Sequence, residues 1–131
     1  MGENKILIRT VIEILGSPKE HVEETMKLVI NRAKENFKLL SEKTYKSEEV
    51  QGMWSTFAEL EISFKDMEQL IIFCFEFMPS SIEVIEPVSF NLKCTDISNT
   101  LNDLLAKLHR YDMVVKNLTA ENVILKRKQN Q

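Results

Sequence analysis

The side chains that could carry acid–base chemistry are few in this sequence. Glu59 and Glu61 share one face of a predicted strand, and Glu83 falls on a neighbouring strand. Paired carboxylates can transfer protons, but a solvated strand face is the commoner origin of this pattern. His21 lies beside acidic residues at a helix start, and His109 falls on an exposed helical position. The sequence therefore predicts no catalytic residue and a protein that is not an enzyme.

The sequence also lacks the local motifs of common active sites. It contains no nucleophile elbow, phosphate-binding loop, zinc signature or kinase motif set. Its two cysteines, Cys74 and Cys94, have neither metal-ligand spacing nor the pattern of a disulfide framework. We therefore expect no cofactor, no metal and a reducing, cytoplasmic compartment, with Cys74 in the core.

The loop Gly16-Ser17-Pro18 is the candidate ligand site. A glycine-bearing turn at a helix N-terminus offers free backbone N–H groups to an anion or a carboxylate. The same letters also describe a plain helix start, with Ser17 as N-cap, Pro18 next and Glu20 completing a capping box. The position of the loop, after the first strand of a predicted βαββαβ unit, resembles the ligand loop of ACT-type regulatory domains. That resemblance implies an alternative function, a dimeric sensor of amino-acid-like molecules that bind at Gly16 and Ser17.

Hydrophobic periodicity predicts an α+β domain in the first two thirds of the chain. The predicted elements are a strand over 5–15, a helix from 17 to 36, a strand over 37–45, a polar turn over 46–52, a strand over 54–62, a helix from 66 to 77 and a strand over 81–86. The order β-α-β-β-α-β is that of ferredoxin-like domains, with one antiparallel sheet and both helices on a single face. The other sheet face is then left for solvent or for a partner.

A second local similarity lies at the end of this domain. Residues 77–87, with the letters FMPSSIEVIEP, resemble the terminal helix-to-strand segment of WYL-type bacterial transcription regulators. The C-terminal extension of that family is a ferredoxin-like module, so the resemblance implies the same fold for this segment. The DNA-binding helices and the WYL domain of that family have no counterpart in this chain.

The last third of the chain has the pattern of one long coiled-coil helix, since apolar residues alternate at steps of three and four over more than four heptads. The a positions are Cys94, Leu101, Leu108, Val115 and Asn122. The d positions are Ile97, Leu104, Tyr111, Leu118 and Leu125. From Ile97 onwards, these residues form the predicted oligomer interface. The predicted domains are therefore 1–91, ferredoxin-like, and 92–131, a coiled-coil oligomerisation helix.

Several heptad positions favour a parallel homodimer. Asn122 at an a position can pair with its own copy across a dimer axis and fix the register. Lys107 with Asp112, and Glu121 with Lys126, have the spacing of interchain ion pairs in parallel coils. Leucine at other a positions selects two strands only weakly, so a tetramer stays open. A helix folded back on the free sheet face of its own domain is a further alternative.

Charge is divided unevenly along the 131 residues. Residues 1–92 carry ten basic and sixteen acidic side chains, whereas residues 93–131 carry seven basic and four acidic ones. An acidic main domain argues against nucleic acid as the chief partner, because neutralisation of phosphates dominates such affinity. The longest apolar run, over 70–75, is too short to cross a bilayer. We expect a non-catalytic binding, regulatory or scaffold protein that pairs with itself and contacts other proteins through its sheet face or its coil.

Overall fold

The structure, a computed structural model, describes residues 5–130. The elements are β1 (Ile6–Gly16), α1 (Lys19–Asn36), β2 (Lys38–Thr44), β3 (Glu48–Val50), β4 (Met53–Phe64), α2 (Met67–Phe77), β5 (Ser81–Glu86) and α3 (Cys94–Gln129). Two compact units divide at the peptide between Phe90 and Asn91. We call residues 5–90 the front unit and residues 91–130 the C-terminal unit. The predicted mixed α+β class, with an antiparallel sheet and a long C-terminal helix, is confirmed.

The front unit contains one antiparallel sheet with the strand order β2-β4-β1-β5. The long strands β1 and β4 are paired along eleven residues, from Ile6 opposite Phe64 to Gly16 opposite Trp54. The short strand β5 pairs with the other edge of β1, and both β2 and β3 pair with β4. The two longest strands therefore form the centre of the sheet, where register is best defined.

One face of this sheet is packed under α1 and α2. Successive strand residues point to opposite faces, and the apolar residues of β1 and β4 recur with that period of two. The buried members of this face are Ile6, Ile8, Ile12, Ala58, Leu60, Ile62 and Phe64. The helices complete the same cluster with Met26, Ile30, Ala33, Leu70, Phe73 and Phe77. The alternation predicted for β1 is thus confirmed.

An aromatic group closes the core between the two helices and the sheet. Phe37 makes edge-to-face contacts with Phe64, Phe73 and Phe77, with ring centroids 5.3 to 5.8 Å apart. Such pairs add about 0.5–1.5 kcal/mol each beyond the burial of their area. Cys74, predicted to lie in the core, is half-buried at its edge.

The predicted turn over 46–52 is wrong in part, because it contains the extra strand β3. This strand pairs with β4 through a tight hairpin in which Gln51 and Gly52 both have positive φ, of 52° and 80°. A two-residue turn of that kind matches the twist of the strands it joins, and glycine tolerates the geometry best. The sheet therefore has five strands rather than four.

The predicted capping box at the start of α1 is also wrong. β1 continues to Gly16, so the turn is confined to Ser17 and Pro18, and the helix begins at Lys19. Pro18 is the N-cap residue, and no side chain caps this helix. By contrast, Asp66 caps α2, because its carboxylate accepts the backbone N–H of Gln69 at 2.8 Å.

Candidate functional surfaces

The second sheet face, opposite α1 and α2, carries most of the charged side chains that the sequence singled out. Its residues on the central strands are Leu7, Arg9, Val11, Glu13 and Leu15 from β1, with Ser55, Phe57, Glu59, Glu61 and Ser63 from β4. The predicted common face of Glu59 and Glu61 follows from this alternation. Apolar and charged side chains are mixed on this face.

Arg9 joins the three candidate carboxylates into one ion-pair network. Its guanidinium lies 3.0 Å from Glu61, 3.5 Å from Glu59 and 3.6 Å from Glu83. The register explains the contacts, since Arg9 is opposite Glu61 on β4 and opposite Glu83 on β5. Glu83 is therefore separated from the other two glutamates by β1, rather than adjacent to them.

The hydrogen bond that Arg9 donates to Glu61, together with the charges of the three carboxylates, raises the pKa of Arg9 above its ordinary value. The guanidinium stays charged at every physiological pH, and each carboxylate has a cation within 3.6 Å. The Nε atom of Arg9 is shielded from solvent and makes no hydrogen bond within the described residues. This arrangement is suited to cross-linking three strands by charge.

The candidate ligand loop has a different geometry from the one predicted. Gly16 is the last residue of β1 and pairs with Trp54, while Ser17 is exposed and makes no hydrogen bond within residues 5–130. Lys19 extends over the ring of Trp54, with its Nζ atom 5.1 Å from the ring centroid. A ligand at Gly16 and Ser17 stays a prediction that rests on the resemblance to ACT-type domains.

The remaining candidates lie apart from one another. His21 and His109 are both exposed, on α1 and α3 respectively. Burial raises the pKa of the Cys74 thiol, which makes it a weaker nucleophile than an ordinary cysteine. Within residues 5–130, no three His, Cys, Asp or Glu side chains are grouped in a way that could hold a metal ion.

All nine predicted interface residues lie on α3, a continuous helix of 36 residues, about 54 Å long at 1.5 Å per residue. None of the helix is buried. The apolar a and d side chains range from half-buried Leu104 to Val115, which is 59% exposed. We call this row of a and d residues from Ile97 to Leu125 the α3 seam.

One of the predicted interchain ion pairs has a competitor within the helix. Asp112 forms an ion pair of 2.9 Å with Lys116, four residues further along α3. The carboxylate of Asp112 is therefore already engaged on its own helix, away from Lys107. The pair of Glu121 with Lys126 stays a prediction. Lys126, Arg127 and Lys128 lie in the last helical turn, where cations interact favourably with the helix dipole.

A shallow depression at one end of the sheet was not predicted from the sequence. It has a volume of about 360 Å³ and three lysines in its wall, Lys5, Lys38 and Lys65. The remaining lining residues are Glu35, Asn36, Phe37, Ser63, Phe64 and Gln69. The three lysines are spread over 60 residues of sequence, so only the pairing of β2 and β1 with β4 brings them together.

These observations define an α+β protein with a five-stranded antiparallel sheet and a long C-terminal helix whose apolar seam is exposed. The chain belongs to the MJ0538 family, whose model matches residues 7–128. The match extends from β1 into the last turn of α3, so the long helix is part of the family's own sequence. No curated protein and no solved structure matches the chain. Among the described residues, no helix has the length and apolar character needed to cross a membrane.

Proposed function

We propose that this protein is a non-catalytic homodimer that serves a binding, regulatory or scaffold role in the cytoplasm. The two chains associate in parallel through the α3 seam. The front unit is of the ferredoxin-like type and presents its second sheet face to other proteins. The observation that carries the proposal is the exposed α3 seam, which extends over more than four heptads.

The energetics of α3 support association. An isolated helix in water gains little from backbone propensity alone, and most helical stability in proteins comes from packing of an apolar face. The seam offers such a face, but its side chains remain about half exposed in the single chain. A second copy would cover them by inserting each a and d side chain between residues of the facing helix.

Strand order supports the ferredoxin-like assignment of the front unit. Both β2 and β3 pair with β4, on either side of a short interruption at residues 45–47, and can be counted as one broken strand. The elements then follow the order β-α-β-β-α-β, with both helices contributing to one core. The front unit thereby leaves the second sheet face available as a binding surface.

The ion-pair network of Arg9 supports a non-catalytic role. Proton transfer requires a carboxyl or imidazole that is free to exchange a proton with a bound substrate. Glu59, Glu61 and Glu83 are instead held around one guanidinium. Their arrangement favours a fixed pattern of charge on the sheet surface, which can select a partner by electrostatic complementarity.

Light scattering on full-length variants tests the dimer. We expect the wild-type protein to have twice the mass of one chain. The variants Leu108→Asp and Leu118→Asp should have a mass closer to that of a single chain. Uncompensated buried charge costs about 3–5 kcal/mol, which weakens association by at least about a hundredfold. Met113→Asp is the matched control, because Met113 lies at an f position and is 62% exposed. A monomeric wild type, or equal effects of all three variants, would contradict the proposal.

The parallel orientation has a separate test at Cys94, which is exposed at the first a position of the helix. In a Cys74→Ser background, mild oxidation with a disulfide such as oxidised glutathione should link two Cys94 thiols across a parallel dimer. The control combines Cys94→Ser with Asn99→Cys, which moves the thiol to an outward f position. An antiparallel coil would leave the Cys94 thiols at opposite ends and give no cross-link.

A further inference from the structure

The depression at the end of the sheet collects positive charge from three separate elements. Lys5 immediately precedes β1, Lys38 begins β2 and Lys65 directly follows β4. Lys38 is paired with Ser63 across the β2–β4 ladder, and Ile6, next to Lys5, is paired with Phe64. The three lysines are therefore fixed by backbone pairing at the same end of adjacent strands.

Two cations of the front unit, Arg9 and Lys34, have carboxylate partners, whereas these three lysines have none within residues 5–130. Arg9 contacts three glutamates, and Lys34 forms an ion pair of 2.9 Å with Glu42. Among the described residues, no carboxylate lies within ion-pair distance of Lys5, Lys38 or Lys65.

The lining of the depression adds neutral hydrogen-bonding groups to the three ammonium groups. The carbonyl oxygen of the Gln69 side chain accepts the backbone N–H of Lys65, so its amide nitrogen remains available as a donor. Ser63 contributes a hydroxyl group, and Glu35 is the single carboxylate in the wall. Three ammonium groups against one carboxylate leave a net charge that matches a compact anion carrying two or more negative charges.

We infer that this depression binds a small phosphate-bearing anion, with Lys5, Lys38 and Lys65 as its charge partners. Lysine offers three donors on a flexible stem and binds phosphate as a point charge. The volume of about 360 Å³ lies at the lower end of the range of small-molecule sites, about 300–1,000 Å³. The ligand class is therefore a metabolite with a phosphate or diphosphate group. The inference does not depend on pairing of α3.

Calorimetric titration of the full-length protein with sodium diphosphate at low ionic strength tests this site. We expect saturable binding that weakens as salt is added, because the charges are exposed to solvent. Lys38→Gln and Lys65→Gln should each weaken binding about two- to fivefold, the range of exposed charge pairs. The control Lys27→Gln removes the same charge from an exposed position of α1 outside the depression and should leave the affinity unchanged.

A substitution that removes a negative charge from the depression provides a second test, because it should strengthen binding instead of weakening it. Glu35→Gln should strengthen diphosphate binding about two- to fivefold, because it removes the carboxylate that opposes the ligand. Glu24→Gln, also exposed on α1, changes the net charge equally and should have no such effect. The inference would be overturned if diphosphate did not bind. It would also be overturned if the variants in the depression changed the affinity for diphosphate no more than their controls on α1 did. A short oligonucleotide that binds more tightly than diphosphate would overturn the assignment to a small metabolite.

Discussion

Two helix starts in the front unit have the same signature in sequence but differ in one hydrogen bond. Ser17 and Glu20, like Asp66 and Gln69, are spaced three residues apart before an apolar helical segment. Asp66 accepts the N–H of Gln69, whereas the first turn of α1 has no side-chain cap. A serine can cap only where the strand before it ends early enough for the helix to begin at the next residue.

This difference predicts unequal costs of two alanine substitutions. Asp66→Ala should lower the free energy of unfolding by about 1 kcal/mol, the usual value of a lost N-cap. Ser17→Ala should change it by less than about 0.5 kcal/mol, as expected for an exposed side chain without partners. Urea denaturation followed by the fluorescence of Trp54 measures both. Equal losses for the two variants would show that Ser17 caps α1 in solution.

Met78 has a backbone conformation that is unfavourable for a residue with a Cβ atom. It ends α2 in the left-handed region, with φ of 43° and ψ of 58°, and its side chain is 71% exposed. The left-handed conformation costs a residue with a Cβ about 1–2 kcal/mol, whereas glycine adopts it freely. A glycine at position 78 would avoid this cost, but its greater conformational freedom in the unfolded chain would offset part of the stability gained.

Met78→Gly should therefore raise the free energy of unfolding by about 0.5–1 kcal/mol. Gly52→Ala provides the reverse control, because Gly52 has φ of 80° and no atom within 4 Å of an added Cβ. Its expected loss of about 1 kcal/mol would come from backbone strain alone. Thermal melts of both variants give the comparison, and a destabilised Met78→Gly would mean that the side chain packs on something in solution.

At the scale of elements, strict hydrophobic periodicity made β1, α1 and α3 predictable from the sequence. It did not predict which strand pairs with which. β3 was missed because Glu48, Glu49 and Val50 are all exposed and carry no alternation; only the ladder to β4 defines the strand. Phe73 was missed because α2 is apolar on most of its surface, so periodicity could not identify its buried side.

The grouping of charged side chains on the surface depends still more on how the strands pair. Arg9 meets Glu83 only because β5 pairs with β1, and the lysine-lined depression exists only because β2 and β1 flank β4. These arrangements bring together residues 27 or more positions apart, such as Lys38 and Lys65, and hydrophobic patterning does not specify them. The α3 seam is different, because a helix places its own residues in a known order. The residues of the α3 seam could therefore be placed along one helix from the sequence alone.

The element α3 contains one polar seam residue whose replacement tests the pairing specificity. Asn122→Leu should stabilise a coiled coil by on the order of 1 kcal/mol per chain, because a buried amide is unfavourable. It should also broaden the distribution of oligomers, since a polar a position fixes register and chain number. Asn117→Leu at an exposed c position is the matched control. Sedimentation that gives one unchanged species for both variants would assign Asn122 no role in specificity.

At the scale of the whole molecule, the two units differ in what stabilises them. The front unit has a buried core of apolar residues from both helices and the central strands, whereas no residue of α3 is buried. If α3 is stabilised by pairing, its helicity depends on protein concentration through mass action. The stability of a core within one chain has no such dependence.

The single tryptophan separates these two contributions, because Trp54 lies on β4 in the front unit. Circular dichroism at 222 nm also reports the 36 residues of α3. Across a hundredfold range of concentration, a linked dimer gains about 2.7 kcal/mol per dimer in stability. We therefore expect the thermal transition seen by circular dichroism to rise with concentration more than the transition seen by Trp54.

Leu108→Asp should abolish that dependence and leave the Trp54 transition in place, because the charge acts on the α3 seam and the core of the front unit is unchanged. The control Met113→Asp should keep the dependence of wild type. Pairing through α3 would be contradicted if circular dichroism and Trp54 gave the same transition temperature at every concentration, with no shift on dilution. The 36-residue helix would then need a source of stability within its own chain.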